Sequence, residues 1–97
     1  MSAYVIIDAK SSDPERMAEY RRLSTIAVAK FGGRYLIRGE PYEVVEGDWR
    51  PARIVVVEFD SADTARAFYD SPEYRAARAA RAGAADFQML LVEGHSS

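Results

Sequence analysis

The side chains that could carry chemistry in this chain are its arginines, its tyrosines and one tryptophan. Eleven Arg and six Tyr stand among 97 residues, with no Cys, no Asn and a single His at position 95. Without a thiolate, a thiol nucleophile, a Cys-based zinc site, an iron–sulfur cluster and a disulfide scaffold are all excluded. A Ser-His-Asp constellation would have to draw on His95, in a segment that reads as tail. Arg and Tyr together suit the recognition of a carboxylate or enolate oxygen, with a phenol donating a hydrogen bond or a proton. No metal or redox cofactor is expected, and the sequence names no reaction.

Arg38 heads the candidates. It ends a strand-like run beside Gly39, where the backbone can be approached closely. There it either clamps an anionic oxygen in a cleft or pairs with Glu40, Glu43 or Glu58. Tyr20 and Tyr69 fall on apolar helical stripes. Their phenols either surround a small ligand between helices and sheet, or fill a core with hydroxyls satisfied by backbone or Arg. Tyr74 follows Ser71-Pro72-Glu73, a helix break whose N-terminal amides would form an anion site, with Ser71 in that site or simply capping the helix. Trp49 lies in a polar loop between turn signals and reads as an anchor on a partner subunit, ahead of a lid over a pocket. Arg53 opens a strand and is read as an ion-pair partner of Asp48, with a cleft position as the alternative.

Other features read as structure. Arg75, Arg78 and Arg81 recur every three residues, the pattern of a solvated helix face. Gly32-Gly33 follows a helix instead of opening one, which excludes a phosphate loop. Glu40, Glu43, Glu46 and Asp48 lack calcium-loop spacing.

The elements that must position these residues follow from periodicity and punctuation. Ala3 to Ala9 is β-branched and aromatic, a strand. Asp13-Pro14-Glu15 starts a helix, Met17, Tyr20, Ser24, Ala27, Val28 and Phe31 mark its buried face, and Gly32-Gly33 ends it. Arg34 to Arg38 is a second strand, and Tyr42 to Glu46 is read as a short ribbon. Arg53 to Asp60 is a third strand around Ile54-Val55-Val56-Val57. Ser61 caps a helix that breaks at Ser71-Pro72 and restarts as far as about Ala82, and Asp86 to Glu93 is the last strand. The order β-α-β-β-α-β is that of an α+β, ferredoxin-like split βαβ fold, a single domain over residues 1–97. Both helical layers should cover one face of an antiparallel four-stranded sheet.

Strand patterning adds an expectation about assembly. Val55, Val57 and Phe59 alternate with Ile54 and Val56, while Phe87, Met89 and Leu91 oppose Leu90 and Val92. A half-solvated sheet should alternate apolar with polar, and this one is apolar on both faces. A second copy of the chain packed sheet to sheet, a homodimer, is the economical cover. The net charge of −2 is divided evenly, with seven basic and eight acidic residues in 1–48 and six and seven in 49–97. That balance disfavours nucleic acid as a partner. No run approaches a membrane-spanning length, and the apolar start is too short for a signal core, so a cytosolic, cytoplasmic protein is expected.

Four segments resemble a known family: Gly32-Gly33-Arg34-Tyr35-Leu36-Ile37-Arg38-Gly39, Glu46-Gly47-Asp48-Trp49, Pro51-Ala52-Arg53 and Tyr69-Asp70-Ser71-Pro72-Glu73-Tyr74. In combination they are similar to the small bacterial proteins grouped as domain of unknown function 1330. The resemblance spans nearly the whole chain and implies a dimeric α+β barrel. It supplies no reaction, because the wider superfamily holds cofactor-free monooxygenases, isomerases and haem proteins alike. The family motif also places Arg at position 38. Similar monooxygenases often use Asn, Trp and His; here Asn is absent and His95 lies near the end.

Overall fold

The computed structural model describes residues 1–95. In chain order its elements are β1 (Ala3–Ser11), α1 (Pro14–Lys30), β2 (Arg34–Arg38), β3 (Ile54–Phe59), α2 (Ala62–Asp70), α3 (Pro72–Arg81) and β4 (Ala85–Glu93). The strands form one antiparallel sheet in the order β2-β3-β1-β4. This is the expected ferredoxin-like α+β arrangement, with the second helical region broken in two.

Each helix starts where the sequence supplies a cap. Asp13 accepts the Arg16 amide ahead of Pro14, Ser61 accepts the Thr64 amide, and Ser71 accepts the Tyr74 amide ahead of Pro72. α1 ends in a turn where Gly32 takes a φ of 70°, a conformation that glycine adopts without penalty. β1 runs two residues beyond Ala9, because Lys10 and Ser11 still find Asp86 and Ala85 opposite them on β4.

The expected ribbon at Tyr42 to Glu46 does not form. Residues 40–53 make an arm without helix or strand. Among the described residues the segment has no strand beside it, and Pro41 and Pro51 lack ladder donors. The arm is fastened by Tyr42, whose hydroxyl donates to the Pro51 carbonyl at 2.6 Å, and by Asp8, which accepts the Ala52 amide at 3.0 Å.

The core lies between the helices and one sheet face. Val5 and Ile7 of β1, Val55, Val57 and Phe59 of β3, and Met17, Tyr20, Ala27 and Val28 of α1 are all buried. Phe68 centres it, with ring centroids 4.9 Å from Phe59 and 4.5 Å from Tyr74. Truncating such a phenylalanine to Ala costs about 3–5 kcal/mol, since a close-packed site cannot collapse onto the void. The opposite sheet face is uncovered. There Tyr4, Ile6, Ile54 and Val56 are half-buried, while Leu90 and Val92 are 63% and 42% exposed. Among the described residues no helix is long and apolar enough to cross a membrane.

Candidate functional site

A β-bulge in β2 creates the site. Tyr35 lies opposite Val57, on the helix-covered face, and strict alternation would send Arg38 to the open face. The register slips between Tyr35 and Ile37, so Ile37 meets Val56 and Arg38 meets Val55. The extra residue returns Arg38 to the same face as Tyr35, as bulges commonly re-aim a side chain. Gly39 follows with a φ of 87°, and a Cβ there would collide with the Arg53 guanidinium. The glycine therefore admits Arg53 beside Arg38.

Together these groups line a narrow cleft between α1 and the β2–β3–β1 part of the sheet. Its mouth carries Arg21, Arg38 and Arg53, its wall Ser24 and Tyr35, and its depth Tyr20 and Tyr74. The cavity is about 30 Å³, room for one or two waters. Arg38 stacks over the Tyr35 ring at 4.1 Å and donates to Thr25 Oγ1 at 2.7 Å. Arg53 donates to the Arg38 carbonyl at 3.1 Å. Among the described residues, no carboxylate lies within 4.0 Å of either guanidinium. The expected competitors are engaged differently: Glu58 pairs with Arg34, and Glu40 accepts the Arg38 backbone amide. That bond holds the Glu40 carboxyl below the usual range, helped by the positive charge of Arg53. The expected pair between Arg53 and Asp48 is not made, and Arg53 takes the cleft position instead.

At the inner end the Tyr20 and Tyr74 hydroxyls are 2.7 Å apart and both residues are buried. Each phenol has one proton, so their mutual hydrogen bond commits one and leaves the other for an acceptor in the cleft. Burial pushes both phenols above the ordinary tyrosine value, Tyr20 strongly, and the Arg81 charge opposes that rise. At neutral pH both are protonated. They are hydrogen-bond donors here, not bases.

The structure does not bring Tyr69 or Ser71 into this cleft. The Tyr69 ring lies 5.6 Å from that of Tyr74, and Arg78 donates to its hydroxyl at 3.2 Å and stacks over its ring at 4.2 Å. It lines a separate groove between α2 and β4, with Met89 and Leu91. Ser71 is a cap alone: its hydroxyl donates to the Phe68 carbonyl at 2.7 Å and accepts the Tyr74 amide at 3.1 Å. Tyr74 is fully buried against this turn, so the α3 N-terminus presents no open anion site. Nor are the α3 arginines a wholly solvated face. Arg75 is exposed, but Arg78 and Arg81 are half-buried, with Arg81 lying 3.9 Å from the Phe87 ring centre. Trp49 stands at the open sheet face, 64% exposed, beside a groove that includes Ile6, Ile54 and Leu90.

Sequence reasoning missed Ser24 and Tyr35 as cleft residues and Thr25 as the partner of Arg38. Ser24 was visible as a polar position in an apolar stripe. Tyr35 sits in an apolar strand run, and nothing in its spacing marks it as a cleft residue.

The residue 2–95 segment matches the model of the family described as domain of unknown function (DUF1330). No curated protein matches the chain. Among solved structures, a protein of unknown function from Rhodopseudomonas palustris is 18% identical, with a TM-score of 0.76 over 99% of this chain and 84% of that one. A dimeric ferredoxin-like protein of unknown function from Thermobifida fusca is 19% identical, with a TM-score of 0.57 over 97% and 92% of the two chains. SnoaB, a cofactor-independent oxygenase from Streptomyces nogalater, is 12% identical, with a TM-score of 0.60 over 99% and 95%. At these identities the likeness is one of fold. With its family segment covering nearly all of its length, the chain belongs to the DUF1330 family.

Proposed function

We propose that the protein binds a small carbonyl- or carboxylate-bearing compound in the cleft between α1 and the sheet, without a metal or redox cofactor. The observation that carries this reading is the meeting of Arg38 and Arg53 at a cleft mouth where, among the described residues, no carboxylate forms an ion pair with either guanidinium within 4.0 Å. Two guanidiniums left in this way favour an anionic oxygen. Deeper in, the uncommitted phenolic proton of the Tyr20–Tyr74 pair suits a neutral acceptor such as a carbonyl. If the bound compound is turned over, proton transfer or isomerisation is the natural class. Arg38 would then stabilise developing negative charge, with the neutral phenols as fixed donors.

The working unit in this reading is a homodimer packed sheet to sheet, with Trp49 at the interface. The apolar open face supports it, as does the dimeric description of the Thermobifida protein and of a ferredoxin-like protein from Bacteroides fragilis. A second reading, a non-catalytic dimeric module, draws on the tightness of the cleft. About 30 Å³ is less than a small organic acid needs, so a ligand must move Arg38 or Tyr35 to enter.

A thermal-shift screen of small oxo acids, plain carboxylic acids and ketones tests this directly. Selective stabilisation by acids, lost in Arg38→Gln, is expected. A flat response across the panel favours the non-catalytic module.

A further inference from the structure

The arm and the far edge of the sheet are two unfinished surfaces. The arm carries Tyr42-Glu43-Val44-Val45, a run of strand-forming composition that makes no strand within its own chain. Val45 is 91% exposed and Tyr42 is 48% exposed. Yet the segment is not loose, because the Tyr42–Pro51 and Asp8–Ala52 hydrogen bonds fix it at its base. At the other edge, among the described residues β4 pairs only with β1, leaving one side of a nine-residue strand without a ladder partner. Beside that edge, between β4 and α2, runs a largely apolar groove of about 260 Å³ lined by Ala65, Phe68, Tyr69, Met89 and Leu91, with Arg66 and Asp70 also on it. Native proteins rarely leave so long and apolar an edge uncovered.

We infer that residues 42–46 of one copy add as an extra strand to the outer edge of the partner's β4, placing Val45 in the partner's α2–β4 groove. The inference rests on the sheet-to-sheet dimer proposed above. β2 and β4 are opposite edges of the sheet. When two such sheets face each other about a two-fold axis along the strands, β2 of one copy lies over the partner's β4. The sheets are then about 10 Å apart, and an extended arm spanning residues 39–53, doubled back on itself, reaches roughly 20 Å. Trp49 ties the arm to this interface, since it lines a groove with Ile54 and Leu90 at the open face of its own sheet. Strand addition would give the backbone of the arm the ladder it lacks and cover its exposed valine in one step.

Because the chain has no Cys, disulfide trapping gives a clean test. Val45→Cys and Leu91→Cys are made in separate chains, mixed, and oxidised mildly, with the mass of each sample measured by light scattering. The expected result is a Val45→Cys/Leu91→Cys linked pair, exceeding the linked product of either variant alone by at least about tenfold, since pairing raises the effective concentration. A dimeric mass without that cross-link overturns the arm exchange and leaves the sheet-to-sheet dimer standing. A monomeric mass overturns both. If Leu91→Cys does not give a cooperative thermal transition, Tyr69→Cys on the same groove takes its place with the same outcomes.

Discussion

The Tyr20 and Tyr74 hydroxyls are bonded at 2.7 Å although 54 positions separate them in the chain. Their rings meet edge to face, 6.1 Å between centroids. One residue comes from the buried stripe of α1 and the other from the first turn of α3, so this pair joins the helical layer and forms the inner end of the cleft. Removing either hydroxyl leaves its partner buried without its bond. Tyr20→Phe and Tyr74→Phe should each cost about 1–2 kcal/mol, and the double variant little more than one of them. Urea unfolding of the four proteins checks this; additive losses would show that the hydroxyls act independently.

Alkaline pH should act through the same pair. Burial raises both phenol pKa values in the folded state, so the folded protein holds protons that the unfolded chain releases above the ordinary value of 10.0. The stability is therefore fully present below about pH 10 and falls as pH rises beyond it. Tyrosinate absorbance, followed with circular dichroism, should show two of the six tyrosines ionising only as the fold opens. The Tyr20→Phe/Tyr74→Phe protein should have a shallower alkaline slope.

Gly39 links backbone conformation to the cleft. With a φ of 87° and Arg53 packed where a Cβ would go, Gly39→Ala should cost about 1 kcal/mol and push Arg53 away from Arg38. Arg53→Gln leaves the backbone untouched, so it should weaken carboxylate binding with little change in thermal midpoint. Calorimetric titration and thermal unfolding of both variants separate the two effects.

The open face supplies a fourth test. Leu90→Asp places a charge where two apolar sheets would meet, and the dimer should dissociate by at least about a hundredfold in Kd. Sedimentation analysis reads this, with Arg75→Asp on exposed α3 as a control that stays dimeric.

Much of the fold was legible because its signals are local. Asp13-Pro14, Ser61 and Ser71-Pro72 announce helix starts through side chains that must satisfy amides, and the structure uses all three. The apolar doubling of β1, β3 and β4 was likewise readable from alternation alone. The site was less so. The strand-end place of Arg38 and the buried position of Tyr20 follow from their elements, but the burial of Tyr74 does not, and the aim of Arg38 depends on a register slip that no residue of Tyr35-Leu36-Ile37 declares. Tyr69, expected on a buried stripe, is 37% exposed: its ring lies 5.6 Å from that of Tyr74, and its hydroxyl accepts from Arg78. The absent ribbon at Tyr42 to Glu46 is a case of strand composition without a strand partner in the same chain.

Arg38 at the mouth of the cleft is the centre of the functional reading, and a nuclear magnetic resonance titration of the isotope-labelled protein tests it most directly. The ligands are 2-oxobutanoate and 4-oxopentanoate, with butanoate and butanone as matched compounds lacking the ketone or the carboxylate. The expected result is that the oxo acids shift the signals of Ser24, Tyr35, Arg38 and Arg53, with butanoate weaker and butanone weakest. Arg38→Gln should lower oxo-acid affinity about 10- to 100-fold, the loss of a charge-assisted hydrogen bond. Shifts gathered instead around Tyr69 and Leu91, or affinity unchanged in Arg38→Gln, would contradict it.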